Sequence, residues 1–150
     1  MVYVFIVLIG IVAGLRAFTP IAVISWAAYL GWLDFSGTWY SFLGTLPAVI
    51  ILSLVAIAEL VGDQLPKTPS RKVPPQFGAR VVMGAIAGAL LPGGVVVGLV
   101  LGAIGAVIGT LGGADVRARL AKAFGRDLPA GLLEDVVAVV LAFAVVYYVI

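Results

Sequence analysis

The sequence contains no cysteine and no histidine, and these absences exclude several kinds of chemistry. Without cysteine there are no disulfides, no thiolate nucleophile and no thiolate-bound iron–sulfur cluster. Without histidine there is no His-ligated haem or zinc and no Ser-His-Asp triad. A metal held by carboxylates alone remains open. The acids that could hold it are Glu59, Asp63, Glu134 and Asp135. Apart from such a carboxylate-bound metal, the sequence predicts no metal site and no cofactor.

Charge is also scarce. Charged residues make up 11% of the 150 residues and hydrophobic residues 63%, and the mean hydropathy is +1.24. Soluble domains have about 25% charged and about 45–50% apolar residues. The composition therefore predicts an integral membrane protein with one membrane domain, residues 1–150. The net charge of +2 does not indicate a nucleic-acid partner, because the basic residues lie in short loops between apolar stretches.

Six apolar stretches follow one another along the chain. They are Met1–Leu15, Pro20–Leu33, Leu46–Gly62, Ala79–Leu91, Val95–Leu111 and Pro129–Ile150. A Pro-rich loop, residues 63–78, separates the third from the fourth, and a charged linker, residues 114–127, precedes the sixth. These stretches predict an all-α protein of six helical elements.

The first, second and fourth stretches are too short for ordinary membrane crossing. A spanning helix needs about 20 residues to cross about 30 Å of hydrocarbon. The breaks after the first and fourth stretches contain Pro20 and Pro92-Gly93-Gly94, and proline disfavours helix at the residue before it. Each pair is therefore either a re-entrant hairpin or two thin, kinked spans. The greater length of Val95–Leu111 favours ordinary spans for the second pair.

Basic residues predict the orientation. They cluster in the two loops, 63–78 with the adjoining Arg80, and 114–127. Short loops rich in Lys and Arg stay on the cytoplasmic side. We therefore expect both loops to be cytoplasmic and the protein to be multi-pass.

The order of stretches also predicts an internal repeat. Residues 1–62 and 79–150 each contain two shorter stretches followed by a longer one, and Gly10-x3-Gly14 before Pro20 is echoed by Gly84-x3-Gly88 before Pro92. An odd number of elements per half gives inverted repeats, the arrangement of many transporters. Glycines at spacing four further predict close helix packing, either within the chain or in a homodimer.

Charged residues beside apolar stretches are the candidate binding residues, because burying a charge in a membrane is costly. Arg16 lies in the first break, next to Thr19 and Pro20, where it suits a small anionic solute or lipid headgroup. Alternatively, it is a cytoplasmic turn residue that obeys the positive-inside rule.

Four acids and a second arginine complete the predicted site. Glu59 and Asp63 share a helix face, so we expect a cation, a metal or a proton to separate them, and Arg16 or Arg80 could be that cation. Glu134 and Asp135 either take part in transport or stabilise the N-terminus of the sixth helix.

Two stretches resemble a known family. Gly14-Leu15-Arg16-Ala17-Phe18-Thr19-Pro20 and Ala58-Glu59-Leu60-Val61-Gly62-Asp63, together with Pro69-Ser70-Arg71 and Leu133-Glu134-Asp135, resemble the bacterial membrane family called domain of unknown function 4126. The resemblance covers most of the chain and implies no activity. The run Gly14–Pro20 is also similar in shape to the re-entrant motif of undecaprenyl pyrophosphate phosphatases. That family has an acid within the run and serines and a histidine after the proline, which this chain lacks.

Three functions are consistent with these features. The favoured one is a small transporter or channel-like protein for a solute, ion or lipid headgroup, in contact with membrane lipids. The second is a structural or accessory subunit packed through its glycine stripes. The third is an intramembrane lipid-phosphate enzyme, which is disfavoured because no nucleophile is paired with a base.

Overall fold

The computed structural model describes residues 1–62 and 74–149, and these residues form six α-helices and one short 3-10 turn. The helices are α1 (Val2–Leu15), α2 (Thr19–Tyr29), α3 (Leu46–Gly62), α4 (Pro74–Leu90), α5 (Val95–Phe124) and α6 (Asp127–Val149). The 3-10 turn, Ser41–Gly44, precedes α3. The predicted all-α class is confirmed for these residues.

Three element boundaries differ from the prediction. The predicted linker 114–127 is mostly helical, because α5 runs on through Ala, Arg, Leu and Lys, all good helix formers, and ends at Gly125 in the left-handed conformation. Helix α4 begins at Pro74 instead of Ala79, since proline is well tolerated at the start of a helix. Helix α2 ends at Tyr29, and Gly31 (φ +84°) turns the chain just beyond it.

Two helices are long and apolar enough to cross a membrane, judged on length and composition: α5 and Leu128–Val149 of α6. Helices α1, α2 and α3 are apolar but shorter, with 14, 11 and 17 residues. The outer faces of the helices are apolar as well, with Leu54 exposed by 62% and Val140 by 61%. Exposed apolar area on this scale fits a lipid environment better than water.

The core is built around α1, which packs against α4, α5 and α6. Ile6, Ile9 and Val12 of α1 are fully buried. Glycine allows the closest of these approaches: a Cβ at Gly102 of α5 would overlap the Gly84 carbonyl of α4, and one at Gly10 would overlap the Gly102 carbonyl. The glycine pattern is thus used for packing inside the chain, as one of the two predicted arrangements requires.

The inverted repeat stays a prediction. Helices α2 and α5 would be equivalent, but they have 11 and 30 residues. Helix α5 packs along both α1 and α4, whereas α2 lies mainly on α3 and α6.

Candidate functional site

The site is built around the break between α1 and α2. Helix α1 ends at Leu15, Arg16 is extended (φ −144°, ψ 114°), and α2 begins at Thr19 with Pro20 in its first turn. A break of this kind leaves carbonyls at the end of one helix and amides at the start of the next without helical partners. Away from water, each of these groups needs another partner.

An arginine from another helix satisfies the carbonyls. Arg80 of α4 is 3% exposed, and its Nη1 donates to the carbonyl oxygens of Gly14 (2.9 Å) and Leu15 (2.8 Å). Arg16 Nη1 also donates to the Leu15 carbonyl, at 2.8 Å. The C-terminal end of α1 is therefore held by positive charge, which favours its helix dipole.

A carboxylate satisfies the amides. Glu59 Oε1 accepts from the Ala17 amide at 2.6 Å and Oε2 accepts from the Phe18 amide at 2.8 Å. Both amides lie just before the first residue of α2, so the negative charge also favours the dipole of that helix. Glu59 occupies the position that an external anion would take at such a helix start.

Arg16 is fully buried and points at α6. Its Nε donates to Asp135 Oδ1 at 2.7 Å, and its Nη2 pairs with the same oxygen. Its Nη1 lies 3.5 Å from Glu134 Oε1, and Glu134 Oε2 lies 3.3 Å from Arg117 Nη1 of α5. A continuous row of ion pairs, Arg117–Glu134–Arg16–Asp135, therefore connects α5, the break and α6. We call the six charged residues that surround the break the charge cluster. They are Arg16, Glu59, Arg80, Arg117, Glu134 and Asp135.

Most of the predicted site residues come together here. Thr19 and Pro20 are buried at the start of α2, and Thr19 Oγ1 has no hydrogen-bond partner among the described residues. Asp63, also predicted, lies outside the described residues. Glu134 is the eighth residue of α6, so stabilisation of the helix start, which acts within the first turn, does not account for its position.

Arg117 is the member of the cluster that sequence reasoning missed. The charge of segment 114–127 predicts a linker, which places Arg117 in a loop and gives it a role in orientation alone. Had α5 been extended through that segment, Arg117 would fall two turns after Thr110 and on the same face. Thr110 is itself buried at the break, with Oγ1 3.5 Å from the Gly14 carbonyl.

The site can hold charge, but its carboxylates are engaged with arginines and amides. Within residues 1–62 and 74–149, no three acidic side chains converge in a way that could hold a metal ion.

Comparison with known proteins identifies the family. The model of the family described as "Domain of unknown function (DUF4126)" matches residues 4–149. The chain belongs to this family. The predicted resemblance to DUF4126 is thereby confirmed, and the stretches that carried it supply Arg16, Glu59, Glu134 and Asp135 to the charge cluster. No curated protein and no solved structure matches the chain.

Proposed function

We propose that the protein is a small multi-pass transporter or channel-like protein of the bacterial inner membrane. Its substrate carries a small anionic group, either as a free solute or ion or as a lipid headgroup. The observation that carries the proposal is the complete burial of Arg16 at a helix break between carboxylates of another helix. Ionisable groups at broken helices are the usual substrate sites of membrane transporters.

The cost of the charge cluster supports a functional role. Removing charges from water is expensive, and apolar residues of similar volume often stabilise a fold as well as a buried ion pair does. Neutral polar side chains could satisfy the carbonyls and amides at the break, so closing it does not require a row of buried ion pairs. The cluster is explained if an anion exchanges with Glu59, Glu134 or Asp135 during transport.

The short helices give the site its proposed depth. At 1.5 Å per residue, α1 and α2 extend about 21 Å and about 17 Å, less than the roughly 30 Å of hydrocarbon. We propose that they form a re-entrant hairpin whose apex, Arg16–Phe18, lies within the membrane. The loops 63–78 and 114–127 would then face the cytoplasm, as their basic residues indicate.

The helix packing does not favour the alternative of an accessory subunit that binds its partner through glycine stripes. The glycine faces of α1, α4 and the first half of α5 are filled by helices of the same chain. A homodimer would therefore need another surface. An enzyme also finds no support at the break. Among the described residues no base accepts from the buried Thr19 hydroxyl, and the buried Thr110 hydroxyl donates to the Ala106 carbonyl at 2.7 Å.

Cysteine labelling tests the proposal. The chain has no cysteine, so Thr19→Cys supplies a single thiol at the break, and it sacrifices no described hydrogen bond. In proteoliposomes, we expect Thr19→Cys to react with a membrane-impermeant thiol reagent, faster with an anionic reagent than with a cationic one. We also expect inorganic phosphate to slow the reaction.

Two control positions calibrate the labelling. Ser36→Cys lies in the exposed loop after α2 and gives the rate in water, whereas Leu54→Cys lies on the apolar outer face of α3 and gives the rate without water. If Thr19→Cys reacted as slowly as Leu54→Cys, the break would be dry and the transport proposal would fail.

A further inference from the structure

A groove runs beside the charge cluster, between α1, α5 and α6. Its volume is about 370 Å³, within the range of small-molecule sites. Its walls are apolar side chains from three helices, including Ile11 of α1, Leu120 of α5 and Val137 of α6. The groove exists because its floor is made of glycines of α5: a Cβ at Gly112 would meet nothing within 4 Å.

Two of the side chains that line this groove are charged. Arg117 and Glu134 are its charged lining residues, and they form the outermost ion pair of the row that leads to Arg16. The Arg117 side chain is 14% exposed, whereas that of Arg16 is fully buried. An apolar groove whose lining includes a partly accessible arginine matches the amphipathic form of a lipid.

The charge of the residues around the groove favours a lipid with an anionic headgroup. Residues 115–127 contain four bases (Arg117, Arg119, Lys122, Arg126) and two acids (Asp115, Asp127), a net charge of 4 − 2 = +2. Basic residues at a membrane surface attract anionic lipids by about 1 kcal/mol each. The apolar walls distinguish a lipid from a free anion, because a free phosphate gains nothing from them.

We propose that this groove binds the acyl chain of an anionic, phosphate-bearing lipid whose headgroup contacts Arg117. The phosphate competes with Glu134 for this arginine. Because the other oxygen of Glu134 faces Arg16, lipid binding alters the charge balance at the break. This inference deepens the proposed function, since it names the substrate class and its route to the site.

Native mass spectrometry of the full chain in detergent provides the test. The probe is an equimolar mixture of phosphatidylglycerol and phosphatidylcholine with identical acyl chains. We expect phosphatidylglycerol to be retained at least about fivefold over phosphatidylcholine, the ratio that ~1 kcal/mol from one arginine contact gives. Equal retention of the two lipids would overturn the proposal.

Two matched pairs of variants locate the binding. Gly112→Leu fills the groove, whereas Gly78→Leu makes the same change at an exposed, uncrowded glycine of α4. Arg117→Gln removes the headgroup contact, whereas Arg119→Gln removes an exposed charge from the same helix. We expect Gly112→Leu to lose bound lipid and Arg117→Gln to lose the preference, with both controls resembling the wild type. Unchanged binding in Gly112→Leu would contradict the proposal.

The remaining outcomes separate the two hypotheses. A dimer that Gly112→Leu abolishes would assign the groove to a second copy of the chain and overturn the lipid inference. Selective lipid binding with an unlabelled Thr19→Cys would leave the groove as a lipid site and overturn transport. Labelling at Thr19→Cys without lipid selectivity would support transport and overturn the lipid site in the groove.

Discussion

The two ends of the helical bundle are held together in different ways. At the charge cluster, polar contacts join residues far apart in sequence: Glu59 binds amides 41 and 42 residues earlier, and Arg16 binds Asp135 across 119 residues. At the opposite end, aromatic rings meet edge to face, as in Phe35–Tyr40 at 5.0 Å, and the exposed Asp34 binds the Ser36 amide two residues away.

This difference shows where the chain can tolerate change. Edge-to-face ring pairs contribute about 0.5–1.5 kcal/mol each and can be replaced by other apolar contacts. A buried charge that loses its partner has no such substitute, since neither water nor lipid can solvate it there. The charged end is thus specified residue by residue, and the aromatic end by residue class.

The largest expected effect is that of Arg16→Gln. The change removes the buried cation that faces both Glu134 and Asp135, and breaking a buried ion pair from one side costs about 3–5 kcal/mol. We expect the unfolding midpoint in detergent, measured by circular dichroism, to drop by a large amount. Arg119→Gln, at an exposed position of α5, should unfold like the wild type. Equal midpoints for the two variants would show that the cluster does not hold the bundle together.

The helix packing between the two ends gives the next largest effect. A Cβ at Gly102 overlaps the Gly84 carbonyl of the backbone, which cannot move as a flexible side chain can. Overpacking typically costs about 1–3 kcal/mol. We therefore expect Gly102→Ala to lower the unfolding midpoint. Gly112→Ala on the same helix meets open space and should raise the midpoint slightly, because alanine is the better helix former.

Glu59→Gln should have a smaller effect. The amide side chain keeps one oxygen to accept from Ala17 or Phe18, but its NH₂ group replaces the other acceptor. Hydrogen bonds to charged groups contribute about 1.5–3 kcal/mol and neutral ones about 1, so we expect a loss of about 1–2 kcal/mol in the same unfolding assay. Asp115→Asn makes the same change of charge at an exposed residue of α5 and should have no effect. A loss from Glu59→Gln as large as that from Arg16→Gln would show that the α2 amides depend on the full charge.

The sequence predicted the parts of this fold that depend on local patterns. Apolar runs located all six helices, and Pro20 with its preceding residues located the first break. The free-energy cost of a charged side chain in an apolar stretch identified Arg16 and Glu59 as site residues. What the sequence could not provide was their partners, since pairing Arg16 with Asp135 depends on how α1 packs against α6. Nothing local indicates that Glu59 binds the backbone amides of Ala17 and Phe18.

Arg117 shows a different limit. The charged residues in 114–127 indicate a loop when hydropathy alone is considered. In the structure the charged segment is a continuation of α5 beyond its apolar part. Helix propensity and the terminating Gly125 predict this continuation, whereas hydropathy predicts a break.

The smallest effect is expected for Asp34→Asn, at the aromatic end. Hydrogen bonds from the Ser36 side chain and amide lower the pKa of Asp34 below its ordinary value of 3.8. A lowered pKa means that the carboxylate stabilises the fold above pH 3.8, and that this contribution is lost as the pH falls through the lower, folded-state value. Because Asp34 is fully exposed, we expect the unfolding midpoint of the Asp34→Asn variant to lie close to that of the wild type at pH 7. The midpoints of the two proteins should converge at acid pH. A midpoint drop at pH 7 as large as that of Arg16→Gln would mean that Asp34 has partners beyond its own turn. The two ends would then be held in the same way.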